Sequence, residues 1–128
     1  YASDCNIVIA AHPLVYVLKM TPGGKTLWEA GIKPQGGADE IEFGAPSDTA
    51  IDSKDRIWVA DRKTNRIYCV SPAGKLLFQH GGFVTWDDTR GKGFATPAGI
   101  AVTTVNGKEY LYVGDAGNRR LVKFRIAE

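Results

Sequence analysis

Three observations predict an all-β chain built from repeated antiparallel sheets. The stretch Phe43-Gly44-Ala45-Pro46, Ile57-Trp58-Val59-Ala60-Asp61 and Asn65-Arg66-Ile67 returns as Phe94-Ala95-Thr96-Pro97, Leu111-Tyr112-Val113-Gly114-Asp115 and Arg119-Arg120-Leu121. The apolar runs are short and rich in β-branched and aromatic residues, as strands are. Between them stand tight-turn signals, Ser71-Pro72-Ala73-Gly74 and Asn106-Gly107, the second being the strongest short hairpin signal a sequence offers. Phe43 recurs 51 residues on and Asp61 recurs 54 residues on, near the ~40–50 residues of a four-stranded propeller blade. The predicted fold is a β-propeller segment of about three consecutive four-stranded antiparallel blades, the first and last incomplete.

The middle repeat, residues 43–82, is the complete one. Ser47 to Asp52 alternates, Asp52-Ser53-Lys54-Asp55 is a polar turn, and Arg56 to Ala60 completes a hairpin. A loop from Asp61 to Asn65 leads to Ile67-Tyr68-Cys69-Val70, and Leu76-Leu77-Phe78-Gln79 forms the fourth strand before Gly81-Gly82. The last repeat, residues 94–128, follows the same course through Gly99–Thr103, Tyr110–Val113 and Leu121–Ile126, then stops without a fourth strand. The first repeat, residues 1–33, matches from its turn onward, Thr21-Pro22-Gly23-Gly24-Lys25 lying over Ser71-Pro72-Ala73-Gly74-Lys75 at an offset of 50. Equating Asp4 with Asp61 gives an offset of 57 instead, which implies a loop after Asp4 with about seven extra residues, among them His12; long loops on rigid scaffolds carry function.

Truncated repeats at both ends lead to the expectation that the 128 residues belong to a longer polypeptide, or to a short subunit completed by another chain. Either way the expected partners include further propeller blades. Alone, the two end sheets would leave apolar faces in water at roughly 25 cal/mol per Å², so the isolated segment is expected to aggregate, oligomerise or fold poorly. Net charge is +2, from 16 basic and 14 acidic residues, too balanced to mark a nucleic-acid protein by composition. Cys5 and Cys69 lack metal or redox spacing and read as free structural thiols. No apolar run reaches the ~20 residues of a membrane-spanning helix, so no membrane insertion is expected.

Phe-x-x-Pro, an apolar strand ending in Asp, Asn-Arg-Ile and a Pro-x-Gly-Lys turn together resemble the NHL-repeat family of β-propellers, over nearly the whole chain. The resemblance implies a propeller commonly closed by six blades, of which these would be the C-terminal ones, with the last blade often completed by a strand from the far terminus. Members serve as protein-interaction platforms, single-stranded RNA binders or, in the similar peptidyl-hydroxyglycine lyase, a metal-dependent enzyme. Resemblance to secreted propellers points to an extracytoplasmic location, which the residues themselves leave open.

In that lyase the metal histidines follow the Phe-x-x-Pro proline; here Ser47 and Ala98 stand there, and neither replaces imidazole. Arg62 sits where the lyase has a substrate arginine. No nucleophile elbow, phosphate loop or carboxylate pair is present. Asp61 and Asp115 read as loop braces that accept backbone hydrogen bonds and pair with Arg66 or Arg120. No catalytic residue, metal ligand or cofactor is therefore expected in these blades. Trp28 and Trp58 lie in strands and are expected in the core. Loops between second and third strands, and between blades, share one face, which would present Arg62, Lys63, Arg66, Arg90, Lys92, Arg119 and Arg120 with Trp86; His12 joins them from the first repeat. Such a face suits the phosphates and a stacked base of single-stranded RNA and equally an acidic protein; Asp61, Asp87, Asp88 and Asp115 nearby also fit a solvated surface whose charges pair with one another. The reading is a non-catalytic binding or scaffold propeller. The alternative is a metal-dependent lyase or hydrolase-like enzyme with its catalytic residues in other blades.

Overall fold

The computed structural model describes residues 6–11, 16–30, 43–82 and 93–126. They form three antiparallel sheets and no α-helix. The first sheet holds β1 (Ile7–Ala11), β2 (Tyr16–Met20) and β3 (Thr26–Ala30). In the second, β4 (Pro46–Ile51), β5 (Ile57–Asp61), β6 (Arg66–Val70) and β7 (Leu76–Gly81) pair in chain order. The third contains β8 (Pro97–Val105), β9 (Lys108–Asp115), a short 3₁₀ turn (Ala116–Asn118) and β10 (Arg120–Arg125).

Turn chemistry repeats as the sequence does. Thr21 and Ser71 each bracket a turn in which the glycine three residues on donates back to their carbonyl at 2.9 Å and their own hydroxyl accepts from the following lysine amide at 3.1 Å. Gly24 and Gly74 take the positive φ values, 95° and 92°, that these turns need. Asn106 and Gly107 are both left-handed, φ 52° and 76°, the pattern of a type I′ hairpin.

The first sheet differs from the expectation built on Asp4. β1 pairs with β2 from Ile7↔Met20 to Ala11↔Tyr16, just as β5 pairs with β6 from Ile57↔Val70 to Asp61↔Arg66. Ala11 therefore stands at the register of Asp61, the offset of 50 holds throughout, and four residues join the strands in both sheets, so there is no insertion. The carboxylate of Asp4 was a false landmark, because the strand it seemed to close begins only after it.

Sheets stack face to face, and the alternation of β5 and β6 shows how. Ile57, Val59, Tyr68 and Val70 turn toward the first sheet and pack with Val17, Ala30 and Phe43. Trp58, Ala60, Ile67 and Cys69 turn the other way and pack with Phe94, Ile100, Leu111, Val113 and Ile126 of the third sheet. A strand apolar on both faces is what a sheet covered on both sides requires. Phe43 and Phe94, the repeated aromatics of Phe-x-x-Pro, each seal one of these interfaces. Phe43 meets Tyr68 edge-on at 5.0 Å, and Phe94, fully buried, lies 6.1 Å from Phe124. The indole N–H of Trp58 reaches Asp52 Oδ2 at 3.0 Å, which lets a polar atom sit in this core without loss. Trp28 is only half-buried; it lies across the turn of the second sheet and donates to the Pro72 carbonyl at 2.9 Å.

Candidate functional site

The aspartates that close β5 and β9 organise the face on which the candidate site lies. Asp61 is fully buried, and its carboxylate accepts four backbone N–H groups: Gly44 at 2.6 Å, Ala45 at 2.9 Å, and Lys63 and Thr64 at 3.0 Å. It thus fastens the Phe-x-x-Pro loop ahead of β4 to the loop between β5 and β6, which explains why the two motifs travel together. Asp115, also fully buried, does the same for the third sheet: it accepts from the Ala95 amide at 2.7 Å, from Asn118 Nδ2 at 2.8 Å and from Arg120 Nε at 2.8 Å. Backbone bonds reinforce both clamps, Arg62 N to Ala45 O and Gly117 N to Ala95 O.

Asn65 links the two loop systems. In the left-handed region at φ 59°, it accepts from the Thr96 amide through Oδ1 at 2.7 Å and from the Gly82 amide through its carbonyl at 2.8 Å. The repeated Asn in front of Arg-Ile was visible in the sequence, but a bond to the next sheet has no local signature.

On this braced surface Arg62, Lys63 and Arg119 are exposed. Arg66 is exposed too, and donates to Gln79 Oε1 at 2.8 Å rather than pairing with Asp61, whose oxygens are already occupied by amides. Arg120 is a brace, not a reaching side chain: it is bound to Asp115 and donates to the Gly93 carbonyl at 3.0 Å. His12, Trp86, Arg90 and Lys92 lie outside the described residues.

Among the described residues of this face no catalytic constellation is gathered. Ser47 Oγ donates to the Pro97 carbonyl at 2.9 Å with the Ala60 carbonyl at 3.1 Å, which leaves its proton committed. Among the described residues no group of three or more His, Cys, Asp or Glu is placed to hold a metal ion. Cys69 is a free, buried thiol whose pKa is raised from 9.0 to about 11, by burial first and by Asp52 to a smaller degree, against a lowering by Arg56. It is protonated at neutral pH and no nucleophile.

Residues 43–75 match the NHL repeat family. No curated protein matches the chain. Among solved structures, a protein of unknown function from Bacteroides thetaiotaomicron superposes with a TM-score of 0.71 at 20% identity, covering 95% of this chain and 32% of that one. Virginiamycin B lyase from Staphylococcus aureus gives 0.59 at 17% identity over 99% of this chain and 40% of its own. A streptogramin B lyase gives 0.60 at 14% identity over 99% and 39%. This chain thus spans between 32% and 40% of those structures, and the likeness is one of fold. Residues 43–75 thus match the NHL repeat within a run of three antiparallel sheets of three or four strands, an arrangement consistent with incomplete β-propeller blades.

Proposed function

We propose that these blades form a non-catalytic binding platform whose loop face receives an acidic protein surface. The carrying observation is the division of labour among charges on that face. Asp61 and Asp115 are fully buried as internal braces, while Arg62, Lys63 and Arg119 stand exposed on loops held by those braces. A cation held on an ordered loop loses less side-chain and backbone freedom on binding than one on a free loop, and so contributes more. Rim charges of this kind chiefly raise the association rate and set salt dependence.

Polyglutamate serves as the probe for acidic protein, and oligouridine as the competitor that stands for single-stranded RNA. The expected result is salt-sensitive binding of polyglutamate, weakened about tenfold or more by the triple change Arg62→Glu, Lys63→Glu and Arg119→Glu. Unchanged affinity in that variant, or a preference for oligouridine, would sink this reading. The lyase alternative draws on fold likeness alone, and Ser47 and Ala98 give the two described Phe-x-x-Pro motifs no imidazole. Histidines after the equivalent prolines of other blades would revive it.

A further inference from the structure

Between the second and third sheets the loop face holds a residue whose conformation its own chemistry disfavours. Thr96 stands before Pro97 at φ 54°, a left-handed backbone that a β-branched side chain rarely adopts. Ala45, its counterpart before Pro46, has no such φ. Neighbouring bonds force the geometry on Thr96. The Ala95 amide donates to Asp115 Oδ1 and the Ala95 carbonyl accepts from the Gly117 amide, both at 2.7 Å. The Thr96 amide donates to Asn65 Oδ1 at 2.7 Å, and the Pro97 carbonyl accepts from Ser47 Oγ at 2.9 Å. Strain held by surroundings that over-determine it gathers at ligand clamps and active sites. Glycine or asparagine would take this backbone more easily, so the fold does not explain a threonine here.

Its side chain is what remains to be used. Thr96 is exposed, and among the described residues its hydroxyl has no hydrogen-bond partner. On one side Asn65 ties it to the loop that carries Arg62 and Lys63; the Lys63 stem lies so close to Gly44 that a Cβ added there would stand 2.8 Å from Lys63 Cβ. On the other side Ala95 ties it to the 3₁₀ turn Ala116–Asn118, which runs into Arg119. An open O–H donor thus stands at the seam between loops that bear exposed cations. Cations attract negative charge from any direction over several ångströms, whereas a hydroxyl acts only on an atom within hydrogen-bond range. We infer that Thr96 is a specificity-determining residue of the loop face, donating its hydroxyl to one side-chain carboxylate of an acidic partner protein whose other charges meet Arg62, Lys63 and Arg119. The inference rests on the platform reading and names the chemical group that the platform recognises. A hydrogen bond to an ionised acceptor is of the stronger kind, and the fixed backbone of Thr96 has little freedom to lose when it forms.

Substitutions at this one position, with polyglutamate titrated against the propeller by calorimetry, test it. Thr96→Val keeps the shape and the strain and removes the hydroxyl. Thr96→Ser keeps the hydroxyl, and Thr96→Gly removes it while suiting the backbone. The expected result is affinity about fivefold to tenfold weaker in Thr96→Val and Thr96→Gly, and within about twofold of the parent in Thr96→Ser. The urea midpoint of Thr96→Gly should stand at or above the parent's. Weaker binding by a variant at least as stable as the parent is a result that a merely structural role does not give. Equal polyglutamate binding by the parent and every variant overturns the inference and leaves the platform reading standing. A loss in Thr96→Ser equal to that in Thr96→Val overturns the role of the hydroxyl, and a Thr96→Gly midpoint well below the parent's overturns the argument from strain. Oligouridine binding that falls in Thr96→Val while polyglutamate binding holds overturns carboxylate recognition. Absence of polyglutamate binding to the parent is failure of the platform reading itself, and the inference falls with it.

Discussion

Replacing Asp61 tests whether the repeated aspartate is a structural brace. Asp61→Ala removes the acceptor of four backbone N–H groups at once. Gly44 and Ala45 are half-buried, and each left without a partner costs about 1–3 kcal/mol. Lys63 is exposed and Thr64 half-buried; with water as replacement each loses only the net value of a hydrogen bond, about 0.5–1.5 kcal/mol. The sum is about 3–9 kcal/mol, its lower half applying where the loops partly relax, a large share of an ordinary folding free energy. Asp61→Asn discriminates further. Its amide oxygen can keep Ala45, Lys63 and Thr64 at the Oδ1 position, but an NH₂ group then faces the Gly44 amide, donor against donor. That variant should lose about 1–3 kcal/mol. Urea denaturation of the propeller, read as the shift in midpoint at constant slope, measures both. If Asp61→Asn matches the parent within about 0.5 kcal/mol, the amide clamp is not what this residue is for. If added divalent cation stabilises the parent and not the variant, the residue is a ligand and the brace argument fails.

Phe94→Ala empties the sealed position between the second and third sheets and should cost about 3–5 kcal/mol; the denaturation midpoint checks this. Gly81→Ala forces a side chain into φ 118° with its Cβ 2.8 Å from the Asn65 carbonyl and about 3.0 Å from Phe94, so a destabilisation of about 1–3 kcal/mol is expected, and neutrality would mean the backbone there relaxes freely. For Cys69 the sign follows from its raised pKa. The folded state holds the thiol proton more tightly than the unfolded state, so stability from this group is full below pH 9 and is lost as pH rises toward about 11. The parent should weaken between pH 8 and pH 10.5 more than Cys69→Ala does, and thiol labelling of the native protein at pH 7.5 should be slow; parallel pH curves for the two proteins would refute the assignment.

The repeat was legible because its signals are local. Pro-x-Gly-Lys, Asn-Gly and runs such as Ile57–Asp61 declare turns and strands from neighbouring residues alone, and both flanking sheets obey them. Asp4 misled for the same reason: a single acidic residue after small ones imitates the end of β5, while the true landmark, the apolar run Ile7–Ala11, lacks the carboxylate that closes β5 and β9. Pairings across loops were harder to see. Arg66 and Arg120 look alike in sequence, yet Arg120 braces Asp115 through Nε and Arg66 turns to Gln79. The difference lies in what else reaches each carboxylate: Asp61 is filled by four amides, whereas Asp115 receives one amide from the preceding loop and has room for a guanidinium and Asn118.

That contrast bears on function. Two repeats with the same motif solve the same anchoring problem with different donors, and the solution decides which cations remain on the surface. With amides satisfying Asp61, its loop keeps Arg62 and Lys63 exposed; with Arg120 spent on Asp115, only Arg119 of its loop stays fully available. Among the described residues the loop face is therefore asymmetric, richer in cations over the second blade than over the third. A ligand that reads charge should be weakened more by Arg62→Glu/Lys63→Glu than by Arg119→Glu. Equal losses would mean that the ligand contacts both blades alike and that the internal use of Arg120 has no bearing on recognition.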